Sequence, residues 1–163
     1  MQSNELRDAF IEDHQKMTKG LTELIRLVEA DEMDRAARKA RELDAVIGPH
    51  IEFEERRFYP QVQKSRGEDY VRNLYDEHQA GAEAIRALIA IDDPAGIHDA
   101  ARKRILEQLR TALDHAFSCG TLLSHVTSLP DSDQAELLDD LKRYRREAHV
   151  WSELDETRGR EEG

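Results

Sequence analysis

Apolar side chains recur every three to four residues along most of the chain, a period that predicts amphipathic α-helices. The first predicted helix carries His14 within an apolar stripe whose other members are Phe10, Met17, Leu21, Leu24 and Val28. A second helix follows, and we expect Pro60 to end it because proline lacks the backbone N–H. The inward face of this helix holds Ala36, Ala40, Leu43, Ile47, His50 and Glu54. Gly48 and Pro49 interrupt its pattern and predict a kink just before His50.

The second half of the chain repeats this pattern. The third predicted helix ends near Asp92, and its face contains Val71, Leu74, His78, Gly81, Ile85 and Leu88. The fourth runs from about residue 97 to about residue 125, with an inward stripe of Ala101, Ile105, Gln108, Ala112, His115, Cys119 and Leu122. The interval from His14 to His50 nearly equals that from His78 to His115. We therefore predict an all-α, up-down-up-down four-helix bundle in which two hairpins bring four histidines to the centre.

A fifth, more polar helix is predicted beyond Pro130. It should run from about residue 131 to about residue 156 and begin with N-cap chemistry at Asp131 or Ser132. Residues 157–163 are expected to fray. The prediction is one domain over residues 1–163, with the bundle at about 5–128.

Composition and charge exclude several classes of protein. The net charge of −11 disfavours binding to nucleic acid or to an anionic membrane, because both need a basic surface. The N-terminus lacks the apolar core of a signal peptide, and no apolar run approaches the roughly 20 residues of a membrane span. We expect a cytoplasmic protein. Its one cysteine, Cys119, cannot form an internal disulfide.

His50 and Glu54 are the strongest candidates for a metal site. Residues four apart lie on one face of a helix, so both side chains can reach one point inside the bundle. Imidazole nitrogen and carboxylate oxygen suit iron, manganese or zinc. A single histidine on an apolar face is more often an ordinary core residue. Four histidines on four inward stripes favour the metal interpretation instead.

The motifs resemble the hemerythrin-like family, the His-His-Glu cation-binding domain. The segment HIEFEERRFYP matches the family's helix-two signature at His50, Glu54, Glu55, Phe58, Tyr59 and Pro60. The resemblance covers roughly residues 5–145 and implies metal ligation by His14, His50, Glu54, His78 and His115. It also implies iron as the cofactor, as two ions, with a single iron or a zinc as the alternatives.

The chain departs from the family pattern in its second half. Cys119 and Gly120 lie where the family places two glutamates, so one bridging carboxylate is missing. Cys119 is therefore a further candidate ligand, since a thiolate can bind iron or zinc. The alternatives are a buried residue that only fills space, a water-filled gap, a site that binds one metal, and a thiol that is reversibly oxidised beside the metal.

The remaining polar residues are weaker candidates. His125 is rotated off the face of His115 and should lie at the end of the bundle. His98 and His149 are expected to be solvated. Three acidic residues flank the ligand positions and are expected either on the surface or as partners of the second ring nitrogen of a histidine. They are Glu52, Glu55 and Asp114.

The resemblance implies a soluble non-haem iron protein that binds or senses dioxygen, peroxide or nitric oxide, or that senses iron and redox state. An enzyme that decomposes peroxide or nitric oxide at the same centre is the first alternative, and we prefer binding without turnover. The second alternative is a bundle with a degraded metal site that acts through protein contacts. Its docking surface, or a contact between copies of the chain, would be the C-terminal helix or Trp151.

Overall fold

Four long helices form the bundle that the apolar stripes predict. The computed structural model describes residues 4–93 and 97–154, and these residues are helical with no β-strand. The long helices are α1 (Glu5–Glu29), α2 (Met33–Phe53), α4 (Glu68–Ile89) and α5 (Asp99–Cys119). A short helix, α3 (Tyr59–Arg66), continues α2 through a π-helical turn at Glu54–Phe58. Helices α1 and α4 each pack against both α2 and α5, as an up-down-up-down bundle requires.

The predicted C-terminal helix is present but shorter than expected. A 3-10 turn (Gly120–Leu122) leads into α6 (Leu123–Thr127), and α7 (Asp131–Glu147) follows and packs on α1 and α2. The prediction that this last helix reaches residue 156 is wrong, because Ala148 ends it with a left-handed φ of 55°. The predicted tail at 157–163 lies outside the described residues.

The start of α7 also differs from the prediction. Neither Asp131 nor Ser132 is the N-cap residue, because Pro130 occupies that position and cannot supply a side-chain cap. Proline has no side-chain acceptor for the N–H groups of the first helical turn, so the N-cap position contributes no side-chain hydrogen bond.

The two prolines of the second helical segment do not end it. The prediction that Pro60 stops the helix is wrong, since the chain stays helical to Arg66. The π-helical turn just before Pro60 widens the backbone where the proline ring would clash with an α-helical carbonyl. Helix α2 likewise continues through Pro49. A Cβ on Gly48 would lie 2.1 Å from the carbonyl oxygen of His149, so this glycine allows the C-terminal segment to cross α2 closely.

Two apolar clusters fill the bundle on either side of the predicted ligands. One cluster includes Leu21 and Leu24 of α1, and the other includes Phe10 of the same helix. His14 lies between them in sequence, and His78 lies between members of the same two clusters in α4. The inward stripe of α5 is confirmed except at Ala101, which is exposed, and Gln108, which is only half-buried. Among the described residues, no helix is both long and apolar enough to cross a bilayer.

Candidate metal centre

The four predicted histidines are buried, and each donates a hydrogen bond from its Nδ1 atom to an oxygen acceptor. His14 donates to the backbone carbonyl of Phe10 at 2.8 Å, and His50 donates to Oδ2 of Asp13 at 2.8 Å. In the other half, His78 donates to Glu55 and His115 donates to Glu77, both at 2.9 Å. Such acceptors fix the tautomer and the ring orientation of ligating histidines. The Nε2 atom is thereby left as the ligand atom in all four rings.

The Glu54 carboxylate lies between the two halves of the cluster. Its Oε2 is 3.8 Å from Nε2 of His14 and 3.6 Å from Nε2 of His50. Its Oε1 is 3.5 Å from Nε2 of His78. One carboxylate thus faces histidines from both predicted hairpins, which is the position of a bridging ligand.

The second half of the cluster contains a thiol and a phenol. The Cys119 thiol donates to Oε2 of Glu54 at 2.7 Å. The Tyr59 hydroxyl lies 3.1 Å from Nε2 of His78, 3.2 Å from Nε2 of His115 and 3.7 Å from the Cys119 sulfur. Cys119 therefore belongs to the same buried cluster, at the helical position that repeats Glu54.

The π-helical turn explains why Tyr59 joins the cluster. The backbone N–H of Tyr59 donates to the carbonyl of Glu54, which is the i to i+5 bond of a π-helix. This bond stacks Tyr59 over Glu54, whereas an α-helix would stack residue 58 there. A wide turn of this kind is frequent at functional sites.

Three buried polar atoms at the centre have no hydrogen-bond partner among the described residues. They are Nε2 of His14, Nε2 of His50 and Oε1 of Glu54. Buried polar atoms are normally paired, because an unpaired one costs about 1–3 kcal/mol. Two sets of potential ligand atoms lie within 4.8 Å of one another: His14, His50 and Glu54; and Glu54, His115 and Cys119. The unpaired Nε2 atoms of His14 and His50 beside the Glu54 carboxylate fit a cation, and this donor set suits iron.

Electrostatics distinguish the histidines from each other. Burial lowers the pKa of His50, but Glu54 and Asp13 outweigh burial and raise it to about 9. Burial also lowers the pKa of His78, but the neighbouring carboxylates of Glu54 and Glu55 outweigh it and raise the pKa to about 9. The histidine cations in turn hold the pKa of Glu54 well below its usual range, although burial acts in the opposite direction. At neutral pH this cluster therefore holds one carboxylate between two imidazolium cations.

The other two histidines are neutral at pH 7. Burial and the cation at His50 lower the pKa of His14 to about 4. Burial and the cation at His78 also lower the pKa of His115. Burial and the Glu54 charge raise the pKa of Cys119 well above its usual range, so its sulfur carries a proton.

Three members of the site were missed by reasoning from the sequence. Asp13 and Glu77 were not considered, and Tyr59 was noted only as part of the signature. A signal for the two acids is present, because each directly precedes a histidine, in Asp13–His14 and in Glu77–His78. In each half, the acid of one helix pairs with the histidine of the next. The signal for Tyr59 is absent, since ordinary helix geometry rotates it away from Glu54.

The weaker candidates also have definite positions. His125 is half-buried and packs against Phe58 with 6.0 Å between ring centroids, and His98 is exposed. The prediction that His149 lies within the last helix is wrong, because it follows α7; its side chain is 43% exposed, and its Nδ1 lies 3.1 Å from Oε1 of Glu52. Trp151 is not a docking surface, since it is only 3% exposed.

Two of the three flanking acids lie inside the protein. Glu55 accepts the hydrogen bond from Nδ1 of His78, which confirms the expectation that a flanking acid would be the partner of a histidine. Glu52 is buried and pairs with Arg56 at 3.1 Å, so the expectation of a surface charge or a histidine-ligand partner is wrong there. Asp114 is exposed.

A mostly apolar groove of about 270 Å³ reaches the cluster from outside, between α1 and the end of α5. His14 forms part of its lining, together with Phe10, Ile11, Gln15, Thr18, Ala116, Phe117, Gly120 and Leu123. Phe117 is 62% exposed at its edge. A small apolar molecule thus has a path from solvent to the His14 side of the site.

Comparison with known proteins agrees with this geometry. The family model of the hemerythrin HHE cation binding domain matches residues 5–116, which include His14, His50, Glu54, His78 and His115. Neither the curated proteins nor the solved structures gave a significant match. The match covers more than half of the chain, and the residues that carry the resemblance converge in the core. The chain belongs to the hemerythrin HHE cation-binding family.

Proposed function

We propose that this protein is a non-haem iron protein that binds or senses a small ligand, such as dioxygen, peroxide or nitric oxide, or reports the iron and redox state. The metal ligands would be His14, His50, Glu54, His78 and His115. The observation that carries this proposal is the pair of buried Nε2 atoms of His14 and His50, which have no hydrogen-bond partner among the described residues and lie 3.8 Å and 3.6 Å from Oε2 of Glu54. A bound cation would pair both nitrogens at once and interact with the Glu54 carboxylate.

The arrangement favours two ions that share Glu54, because its two oxygens face different histidine pairs. Iron, when bound by histidine and few carboxylates, supplies open coordination positions and a reversible change of oxidation state. A single iron, or a zinc, in one half is the alternative. The side chains that surround the centre keep it out of bulk water, since all five proposed ligands are buried.

The chain's own residues select for a small ligand. The mostly apolar groove has His14 in its lining, and this favours access by molecules with little need of hydrogen bonds. On the other side, the hydroxyl of Tyr59 can donate a hydrogen bond within the cluster. Access for an apolar diatomic molecule and a nearby donor are both features that reversible binding of such a ligand requires.

Metal content is the direct test. The full chain, loaded anaerobically with ferrous iron, should bind iron, and His50→Ala and Glu54→Ala should each lose most of it because each removes a ligand. His98→Ala is the matched control, since His98 is an exposed histidine of the same protein. Equal iron content in all four proteins would refute the site, and no iron in the wild type would refute the function.

Decomposition of peroxide or nitric oxide is the second candidate function. The observation in its favour is the proximity of two oxidisable side chains, with the sulfur of Cys119 3.7 Å from the hydroxyl of Tyr59 inside the cluster. Turnover would appear as consumption of many equivalents of peroxide or nitric oxide per iron-loaded protein. Reversible binding would instead saturate at one equivalent per site and return the ligand when its concentration falls.

A degraded site is the least supported alternative. A bundle that had lost metal binding would have no reason to keep unpaired polar atoms in its interior, because each costs stability. The proposed ligands are buried and mutually aligned, and each of the four histidines retains its Nδ1 acceptor.

A further inference from the structure

The C-terminal helix α7 contacts the metal centre through one arginine. Nη2 of Arg145 lies 3.0 Å from each of the two carboxylate oxygens of Asp13. Oδ2 of Asp13 also accepts the Nδ1 hydrogen of His50 at 2.8 Å. A continuous chain of hydrogen bonds therefore runs from the surface of α7, through α1, to a proposed ligand on α2.

We propose that Arg145 is a positioning residue that sets how strongly His50 donates electron density to the metal. The inference rests on the proposed iron site. Arg145 lies in the C-terminal helix, beyond residues 5–116, the segment that matches the family model.

The direction of the effect follows from charge. The guanidinium cation draws electron density from the Asp13 carboxylate, which then accepts the His50 hydrogen less strongly. A weaker acceptor at Nδ1 makes Nε2 a weaker donor to the metal. Ferric iron needs a strong donor more than ferrous iron does, so Arg145 favours the ferrous state and raises the midpoint potential.

Arg145 has a second effect, because it also holds the Asp13 carboxylate in position. Only 13% of the Asp13 side chain is exposed, while the Arg145 side chain is 43% exposed. The arginine is thus the outer anchor of a carboxylate that would otherwise be free to rotate. Loss of the anchor should broaden the orientations of the His50 ring, which a metal spectrum reports independently of the potential.

The effect of Arg145 on the midpoint potential should be modest. Loss of a hydrogen-bond partner of a metal ligand changes affinity by about 10–100-fold, and Arg145 acts one bond further out. We expect a change of about tenfold in the ratio of ferric to ferrous affinity, which is about 59 mV for a one-electron couple.

The experiment compares two ion pairs that join the same two helices. Arg145→Gln removes the contact with Asp13, and Lys142→Gln removes a contact of 3.3 Å from α7 to Glu5 of α1, which is remote from the ligands. Both variants of the full chain would be loaded with iron, and midpoint potentials would be measured by spectroelectrochemistry. Arg145→Gln should lower the potential by the expected amount, Arg145→Lys should recover part of it, and Lys142→Gln should leave it unchanged.

The route through Asp13 has its own test. In an Asp13→Asn background, Arg145→Gln should no longer shift the potential, because the carboxylate that transmits the effect is gone. Equal potentials in the wild type and Arg145→Gln, or equal shifts in both α7 variants, would overturn the inference while leaving the iron site in place. Failure of the wild type to bind iron would overturn the proposed function itself and the inference with it.

Discussion

Metal binding should release protons from His50 and His78. Both side chains have a pKa of about 9, so both are protonated at pH 7, and a metal ion must displace those protons to reach Nε2. His14 contributes none, because its pKa of about 4 leaves it neutral. His115 is neutral for the same reason, since its pKa is also lowered. Full occupancy of the site at pH 7 therefore releases about two protons from histidine.

The size of the pH dependence follows from this count. Each displaced proton makes the apparent affinity of the ion that displaces it rise about tenfold per pH unit, so the product of the affinities of two ions should rise about 100-fold per unit below pH 9. The slope should flatten above pH 9, where both histidines are already neutral. Affinity therefore increases with pH across the neutral range, the direction expected when a metal competes with protons.

An anaerobic titration with ferrous iron or cobalt can measure both quantities. A pH indicator in weakly buffered solution counts the protons, and a competing chelator gives the apparent affinity at several pH values between 6.5 and 8.5. Cys119→Ser separates the thiol from the histidines, because a thiol that ionises on binding adds a third proton that the variant cannot release. His98→Ala should match the wild type.

A count below two protons, or an affinity independent of pH, would refute the reasoning. Either result would mean that the cations around Glu54 are not displaced by the metal, and so that His50 and His78 are not ligands together.

Three further outcomes are expected. Tyr59→Phe should reduce the free energy of unfolding of the metal-free protein by about 1–3 kcal/mol, measured in urea, because two ring nitrogens lose a partner. Gly81→Ala should lower the free energy of unfolding by about 1–3 kcal/mol, because the added Cβ would lie 2.4 Å from the buried indole of Trp151. Gly120→Ala is the control, since its added Cβ would meet no atom within 4 Å, and it should change the free energy of unfolding by no more than about 0.5 kcal/mol. Because the pKa values of His50 and His78 are raised on folding, protonation of these side chains stabilises the metal-free fold. This stabilisation is complete below pH 6.5 and is lost as pH rises through about 9, so urea should unfold the metal-free protein more easily at pH 9.5 than at pH 6.5.

Helical periodicity predicted the bundle because the burial of apolar side chains determines how the helices pack. The apolar stripes of α1, α2 and α4 are buried as expected, and the histidines within them converge. The ends of helices were less predictable. Pro60 and Ala148 show the reason: a proline is accommodated by a π-helical turn, and an alanine adopts a left-handed conformation that its residue type disfavours.

The sequence predicted only those residues of the candidate site that share one face of a helix. The spacing of His50 and Glu54 is a property of one helix, and such local spacing can be read from sequence. Acceptors such as Asp13 for His50 join different helices, so they depend on how the helices pack. Tyr59 depends on a backbone irregularity, which no periodic pattern encodes.

The two halves of the site differ in what a cation would replace. On the side of His14 and His50, both Nε2 atoms have no hydrogen-bond partner among the described residues, so a cation would have to displace only the proton of His50 there. On the other side, the Tyr59 hydroxyl already contacts His78 and His115, and a cation would have to displace it. The replacement of a carboxylate by Cys119 adds to this difference, because a neutral thiol attracts a cation less than a second glutamate would. The first half should therefore hold the metal more tightly, and a protein that carries a single ion would carry it beside His14 and His50.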